Sequence, residues 1–296
     1  LKNTGFSEIK EERLYYKGDD PWYIEVALTG SCNFNCKYCN RFSETVDYKK
    51  IKTFFHSFSS CKHVQITGGE PTLHKNFEDI IYLCREKSNT IGLSTNGTYG
   101  LQNYLKLPID MFSISLDDYN IDVLIERGYK NPVSIIKTIR ELSKYRYVNV
   151  GVVIDSINIS RINDIIKYII DLGVDDIKLS TSTHDDVIPK IIGDFSSYPI
   201  LNYRVNNFNN NNNMRGFPAK KCYIIQNDIT IVGDKHYPCL VYFREKGKEI
   251  GQIDDNIIKT RKDFFKEFNP QEDPICQKYC MDFKCEFNES ACLIYN

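Results

Sequence analysis

Between residues 22 and 181, short β-rich runs alternate with segments whose apolar residues recur at helical spacing. The runs at 22–30 (WYIEVALTG), 63–67 (HVQIT), 90–95 (TIGLST), 110–116 (DMFSISL), 147–154 (YVNVGVVI) and 176–181 (DIKLST) read as strands. Segments 47–58, 76–87, 131–145 and 160–173 carry the apolar period of helices, and shorter pieces at 101–105 and 120–128 fill the remaining connections. Asp47, Asn76 and Ser160 are candidate N-caps and Gly173 a candidate stop. Such alternation implies a parallel sheet with right-handed crossovers, built as an open doubly wound sheet or an incomplete barrel. Both architectures gather chemistry at the C-terminal ends of their strands. The sequences SCNFNCKYC, GGEP, TNG and LDD follow the first four strands, so all four are expected on one rim.

The chain of 296 residues has room for one large α/β domain and a smaller module. With 38 basic and 39 acidic residues its formal charge is −1, so no net field draws it to nucleic acid or to an anionic membrane. No apolar run approaches the roughly 20 residues that span a bilayer. The start, LKNTGFSEIKEERLYYKG, is polar and unlike a signal segment. These features read as a cytoplasmic protein without membrane or nucleic-acid partners. In a reducing compartment, eleven cysteines point to metal ligation rather than disulfides.

The cysteines are unevenly placed. Cys32, Cys36 and Cys39 share one loop with the spacing C-x3-C-x2-C. Cys222, Cys239, Cys276, Cys280, Cys285 and Cys292 all follow residue 220, leaving only Cys61 and Cys84 between the groups. Cys84 sits in an apolar-periodic helix and reads as a buried thiol, and Cys61 receives no role. A closed zinc site needs four ligands, and no histidine or fourth cysteine lies near the loop. Three thiolates on a short loop suit a [4Fe–4S] cluster better and leave one iron open.

The segments CNFNCKYC, TGGEP, STNG and SISLD, in that order and at strand ends, resemble the radical S-adenosylmethionine (radical SAM) superfamily over residues 22–181. The resemblance implies a partial (β/α)6 TIM-like barrel. It also implies a [4Fe–4S] cluster on Cys32, Cys36 and Cys39 whose open iron is chelated by SAM, with reductive cleavage to a 5′-deoxyadenosyl radical. An electron donor such as flavodoxin or ferredoxin is then required. Tyr38 takes the family's aromatic position near the adenine. Gly68, Gly69 and Glu70 match its glycine–glycine–glutamate motif, with Glu70 on the SAM ammonium group and Thr67 supporting. Ser94, Thr95, Asn96, Ser115 and Asp117 occupy positions that serve ribose, carboxylate or substrate, or that simply cap strand ends. Val152 and Val153 occupy the stretch that packs on adenine, where core packing is an equal reading. His184, past the sixth strand, reads as a loop histidine on the active rim.

Beyond 220, the features C222, G233, HYPC239, REKGKEIGQID and the terminal cysteines resemble the SPASM and twitch auxiliary-cluster modules. The domains expected are an extension at 1–21, the barrel at 22–201, an Asn-rich linker at 202–216 and a small α+β cysteine-rich auxiliary-cluster domain at 217–296. The terminal spacing C-x3-C-x4-C-x6-C departs from the SPASM pattern, and five residues rather than four separate Gly233 from Cys239. Three arrangements stay open. Cys222 and Cys239 could join two terminal cysteines on one cluster; Cys222, Cys239 and Cys292 could hold one cluster with Cys276, Cys280 and Cys285 on another; or the terminal four could bind zinc. SPASM-bearing relatives often crosslink, epimerise or oxidise ribosomal peptides, so the function expected is hydrogen abstraction from a peptide or protein. About 21 residues before the first strand are too few for a leader-binding domain, so either a separate leader-peptide-binding protein or a substrate without a leader is expected. The alternative is a small-molecule dehydrogenase or cyclase of the twitch type. The catalytic acid, base or hydrogen donor is not legible.

Overall fold

The computed structural model describes residues 12–16, 20–40, 42–181, 190–210, 216–254 and 256–295. Nine strands form among them: β1 (Tyr23–Ala27), β2 (Cys61–Thr67), β3 (Ser88–Thr95), β4 (Met111–Ser115), β5 (Tyr147–Ile154), β6 (Asp176–Thr181), β7 (Asp228–Val232), β8 (Lys235–Tyr237) and β9 (Gly251–Gln252). The first six match the expected strands closely, and helices Tyr48–His56, Phe77–Lys87, Pro132–Leu142 and Ile162–Asp171 match the four expected long helices. Asp47 caps the first by accepting from the Lys49 and Lys50 amides. Asn76 makes no such side-chain bond, and the helix after Ser160 starts only at Ile162, beyond a 3-10 turn.

Two compact units contain the described residues, one drawn from Cys32–Arg41 and Gly92–Met214, the other from Gly5–Ser31, Phe42–Ile91 and Arg215–Asn296. The division differs from the expected domains because β7 pairs in parallel with β1, Ile229 opposite Ile24 and Ile231 opposite Val26. That unit runs β2–β1–β7–β8–β9, with β7 and β8 forming the expected hairpin around Gly233 at φ +58°.

The other unit carries β4, β5 and β6 in parallel register with the end of β3. Along β5, Val148, Val150, Val152 and Ile154 are fully buried while Tyr147, Asn149, Gly151 and Val153 are half-buried. Parallel strands covered on both faces read as continuous apolar runs. The strict alternation here leaves one face half-buried, and such inward–outward alternation is that of barrel strands. Ile135, Ile139, Ile165, Ile166 and Ile169 of helices Pro132–Leu142 and Ile162–Asp171 are fully buried as well, each fully buried side chain contributing about 1.5–3 kcal/mol.

The Asn-rich tract needs a correction. Its first nine residues lie in helix Pro199–Asn210 rather than in a linker. Leu201, Val205 and Phe208, spaced four and three apart, are buried along it, and Arg204 pairs with Asp176 at 2.8 Å. This apolar stripe outweighs the poor helix propensity of asparagine. Residues 211–215 lie outside the described residues.

Candidate active site

The three-cysteine loop is held by its own turns and by residues the sequence reading did not single out. The Cys39 amide donates to the Cys36 carbonyl at 3.2 Å, and the Phe34 amide points at Cys32 Sγ at 3.4 Å. Buried Phe34 packs on Tyr129, ring centroids 5.0 Å apart. The Asn35 amide donates to the Gly128 carbonyl at 3.1 Å. Gly128 has φ +99°, and a Cβ there would sit 2.3 Å from the Asn35 carbonyl oxygen and 2.9 Å from the Cys36 nitrogen. Only glycine fits such an approach.

None of the three cysteines forms a disulfide. The Cys36 thiol is pushed up to about 11, chiefly by burial and then by Asp117, with Cys39 and Cys32 adding and a Tyr38 hydrogen bond opposing. A cation beside such a raised thiol favours its thiolate, which suits the iron of a cluster. Asn96 Nδ2 lies 3.9 Å from Cys32 Sγ and donates to Asn33 Oδ1 at 2.6 Å, and its own oxygen accepts from Thr98. Asn96 therefore serves the cysteine loop directly.

Tyr38 and Asp117 belong to one buried network. The Tyr38 hydroxyl donates to Asp117 Oδ2 at 2.5 Å, and the Val153 amide donates to Asp117 Oδ1 at 2.8 Å. Arg127 contacts the same Oδ2 at 3.4 Å and binds both oxygens of Asp155 at 2.7 Å. Its guanidinium also lies 5.1 Å from the Tyr38 ring centroid. Burial pushes the Asp117 carboxyl up while Arg127, Tyr38 and Val153 pull it back. Burial also raises the Tyr38 hydroxyl far above its ordinary range, which keeps it a donor. With both carboxylate oxygens engaged and no exposed surface, Asp117 is placed to orient Tyr38. Asn158 Nδ2 donates to the Asp117 carbonyl at 2.8 Å, and no spacing rule in the sequence links Arg127, Gly128, Asp155 or Asn158 to the cysteines.

The glycine–glycine–glutamate segment lies in the other compact unit. A Cβ on Gly68, at φ +151°, would meet the Thr29 carbonyl oxygen at 2.5 Å, and one on Gly69 the Ser31 carbonyl oxygen at 2.5 Å. The two glycines let the chain leaving β2 lie against Thr29–Ser31, with Gly69 N donating to Thr29 O at 2.6 Å and Glu70 N to Ser31 O at 2.8 Å. Glu70 is fully buried and accepts from the Thr72 amide (3.2 Å) and hydroxyl (2.7 Å). Thr67, at the end of β2, accepts the Leu28 amide through its carbonyl.

Other expected residues divide. Thr95 bonds Tyr104 and the Gly97 amide, a capping role. Ser94 and Val153 are half-buried and Ser115 is exposed, whereas Val152 is core. His184 lies outside the described residues.

Four of the six late cysteines converge. Cys222, Cys239, Cys276 and Cys280 line one cavity together with Lys284 and Asn288. Burial, with Cys239 and Cys280 adding, pushes the Cys222 thiol up to about 12. The Cys276 thiol is raised further by burial, Asp273 and the other three thiols. Cys239 Sγ accepts the Tyr242 amide at 3.4 Å, and Asn288 Nδ2 lies 3.6 Å from Cys222 Sγ. Cys285 is buried, and Cys292 packs against an apolar cluster of Tyr223, Ile224, Phe287 and Ala291. The expected zinc set and the expected pair of three-cysteine sets are thus split between the cavity and the apolar core. Among the described residues, no three His, Cys, Asp or Glu side chains close on a single ion. Cys84 is fully buried with a strongly raised thiol, and burial raises Cys61 to about 12, so both behave as apolar groups.

The radical SAM superfamily model matches residues 26–169. Over that stretch, just under half of its length, the chain is similar to the radical SAM superfamily. It is 33% identical over 159 residues to a probable GTP 3′,8-cyclase of Pyrococcus abyssi, covering 49% of this chain and 52% of that protein. It is 27% identical over 176 residues to a tungsten-containing aldehyde ferredoxin oxidoreductase cofactor-modifying protein of Pyrococcus furiosus, covering 52% of this chain and 49% of that one. The chain thus spans about half the length of the curated relatives it matches. Among solved structures, Streptococcus suis SuiB bound to precursor peptide SuiA superposes with a TM-score of 0.60 at 15% identity, over 91% of this chain and 68% of SuiB. Native anSMEcpe with bound AdoMet gives a TM-score of 0.59 at 17% identity, over 90% of this chain and 88% of that one. At such identities the likeness shows the fold alone, an α/β architecture with a parallel sheet. No helix among the described residues is long and apolar enough to cross a membrane.

Proposed function

We propose that this radical SAM chain reductively cleaves SAM and abstracts hydrogen from a peptide or protein substrate, leading to crosslinking, epimerisation or oxidation. The observation that carries the reading is the convergence of Cys222, Cys239, Cys276 and Cys280 on one cavity in a chain that also holds the three-cysteine loop. A full four-thiolate set gives one auxiliary [4Fe–4S] cluster and leaves Cys285 and Cys292 as packing residues. The fold likeness to SuiB, solved with a precursor peptide, extends over 91% of this chain and supports the peptide class.

When bound, the cluster on Cys32, Cys36 and Cys39 together with SAM supplies the hydrogen-abstracting radical. The chain's own residues hold and orient. The Arg127–Asp117–Tyr38 network and Gly128 fix the loop that presents the three thiolates, and Asn96 supports Cys32. Glu70 is assigned to the SAM ammonium group, with Thr67, Gly68 and Gly69 shaping its backbone. Ser94, Ser115 and Val153 are assigned to the SAM nucleoside or the substrate. A flavodoxin- or ferredoxin-type donor supplies the electron.

The 33% identity to a probable GTP 3′,8-cyclase favours a second reading, a small-molecule substrate. Anaerobically reconstituted protein incubated with SAM and a reductant should form 5′-deoxyadenosine, and a fully loaded protein that forms none contradicts the proposal. Deuterium passing into 5′-deoxyadenosine from a labelled peptide supports the peptide reading. Stimulation of cleavage by GTP and by no peptide supports the cyclase reading.

A further inference from the structure

Resting on the four-cysteine reading above, we infer that Lys284 and Asn288 form a cationic, hydrogen-bond-donating wall that raises the reduction potential of the auxiliary cluster. Both residues belong to helix Asp282–Tyr295 and stand four positions apart, one above the other on a helix face. Both line the cavity that the four thiols share.

The amide of Asn288 is held in one orientation. Its oxygen accepts the Ile224 amide at 3.3 Å, which leaves the NH2 group for Cys222 Sγ at 3.6 Å. The Lys284 side chain lies in the field of Cys239, Glu25, Asp228 and Cys222. In the same compact unit, buried Arg261 is tied to the carbonyls of Ile225, Tyr237 and Asp228, which anchors a second cation there.

A four-thiolate cluster is anionic and gains negative charge on reduction, so a fixed cation and N–H···S donors favour the reduced form. Three features make this a tuning wall and not simple packing. The charge lines the cavity, the donor reaches a ligand sulfur, and both come from one helix.

The test uses the full chain with Cys32, Cys36 and Cys39 replaced by alanine, so that remaining iron is auxiliary. Reduced cluster is followed by electron paramagnetic resonance across a potential titration. Lys284→Met should move the reduced-to-oxidised ratio at fixed potential about tenfold toward oxidised, equal to about 59 mV for a one-electron couple. Asn288→Leu should move it the same way by less, and Lys284→Arg should restore the parent ratio. A Lys284→Met protein with parental iron content and an unmoved ratio overturns the inference. If that variant fails to load, Lys284→Gln, which removes the charge but keeps a polar side chain, decides by the same comparison. Absence of iron in the triple-alanine parent itself refutes the four-cysteine reading and this inference with it.

Discussion

Arg127 is among the largest fully buried side chains of the chain, and its guanidinium serves Asp117, Asp155 and the Tyr38 ring at once. Removing one member of a buried ion pair leaves the other unpaired in low dielectric, which costs about 3–5 kcal/mol. Arg127→Met should therefore lower stability by about that much in urea unfolding. Tyr38→Phe, which removes one donor from a buried acceptor, should cost about 1–3 kcal/mol. His236 gives a pH signature. Its Nδ1 lies 3.2 Å from Arg261 Nη1, and burial, followed by the Arg261 charge, lowers its pKa to about 3. The unfolded histidine titrates near 6.5, so the stability associated with the neutral ring is complete above that pH. It is lost as pH falls from about 6.5 toward 3, at up to about 1.4 kcal/mol per pH unit. Denaturant midpoints of the parent should fall faster than those of His236→Gln between pH 7 and pH 5.5, and parallel slopes would refute this.

At the scale of elements, the Gly128 turn matters more to the cysteine loop than its position suggests. Gly128→Ala places a Cβ where the Asn35 carbonyl sits, so the loop must shift. The variant should lose about four irons per chain while keeping about four in the auxiliary cluster. Iron analysis checks this, and unchanged loading would contradict it. The six parallel strands were legible because runs such as YVNVGVVI can be little else, and four of the helices were legible from their apolar period. The helix Pro199–Asn210 was missed because asparagines hid the Leu201, Val205, Phe208 stripe. The pairing of β7 with β1 was missed for another reason. Local pattern announces a hairpin, whereas the partner of its outer edge is fixed by long-range burial of Ile229 and Ile231. Within the site, cysteine spacing revealed the loop, but nothing in spacing could separate Cys276 and Cys280 from Cys285 and Cys292. Which thiols face the cavity is decided by the helix end at Tyr279 and the phase of helix Asp282–Tyr295.

For the molecule as a whole, the reading assigns seven of eleven cysteines to iron, three on the loop and four in the cavity. The other four are given to packing, two in helix and strand cores and two in helix Asp282–Tyr295, where Cys285 is buried and Cys292 packs on an apolar cluster. The net charge of −1 leaves recognition to local surfaces. The central claim is this partition, and anaerobic iron and sulfide quantification tests it most directly. The parent should hold about eight irons, the Cys32/Cys36/Cys39 triple-alanine variant about four, and the Cys285→Ser, Cys292→Ser double variant about eight. About twelve irons in the parent, or a fall on losing Cys285 and Cys292, would contradict the account.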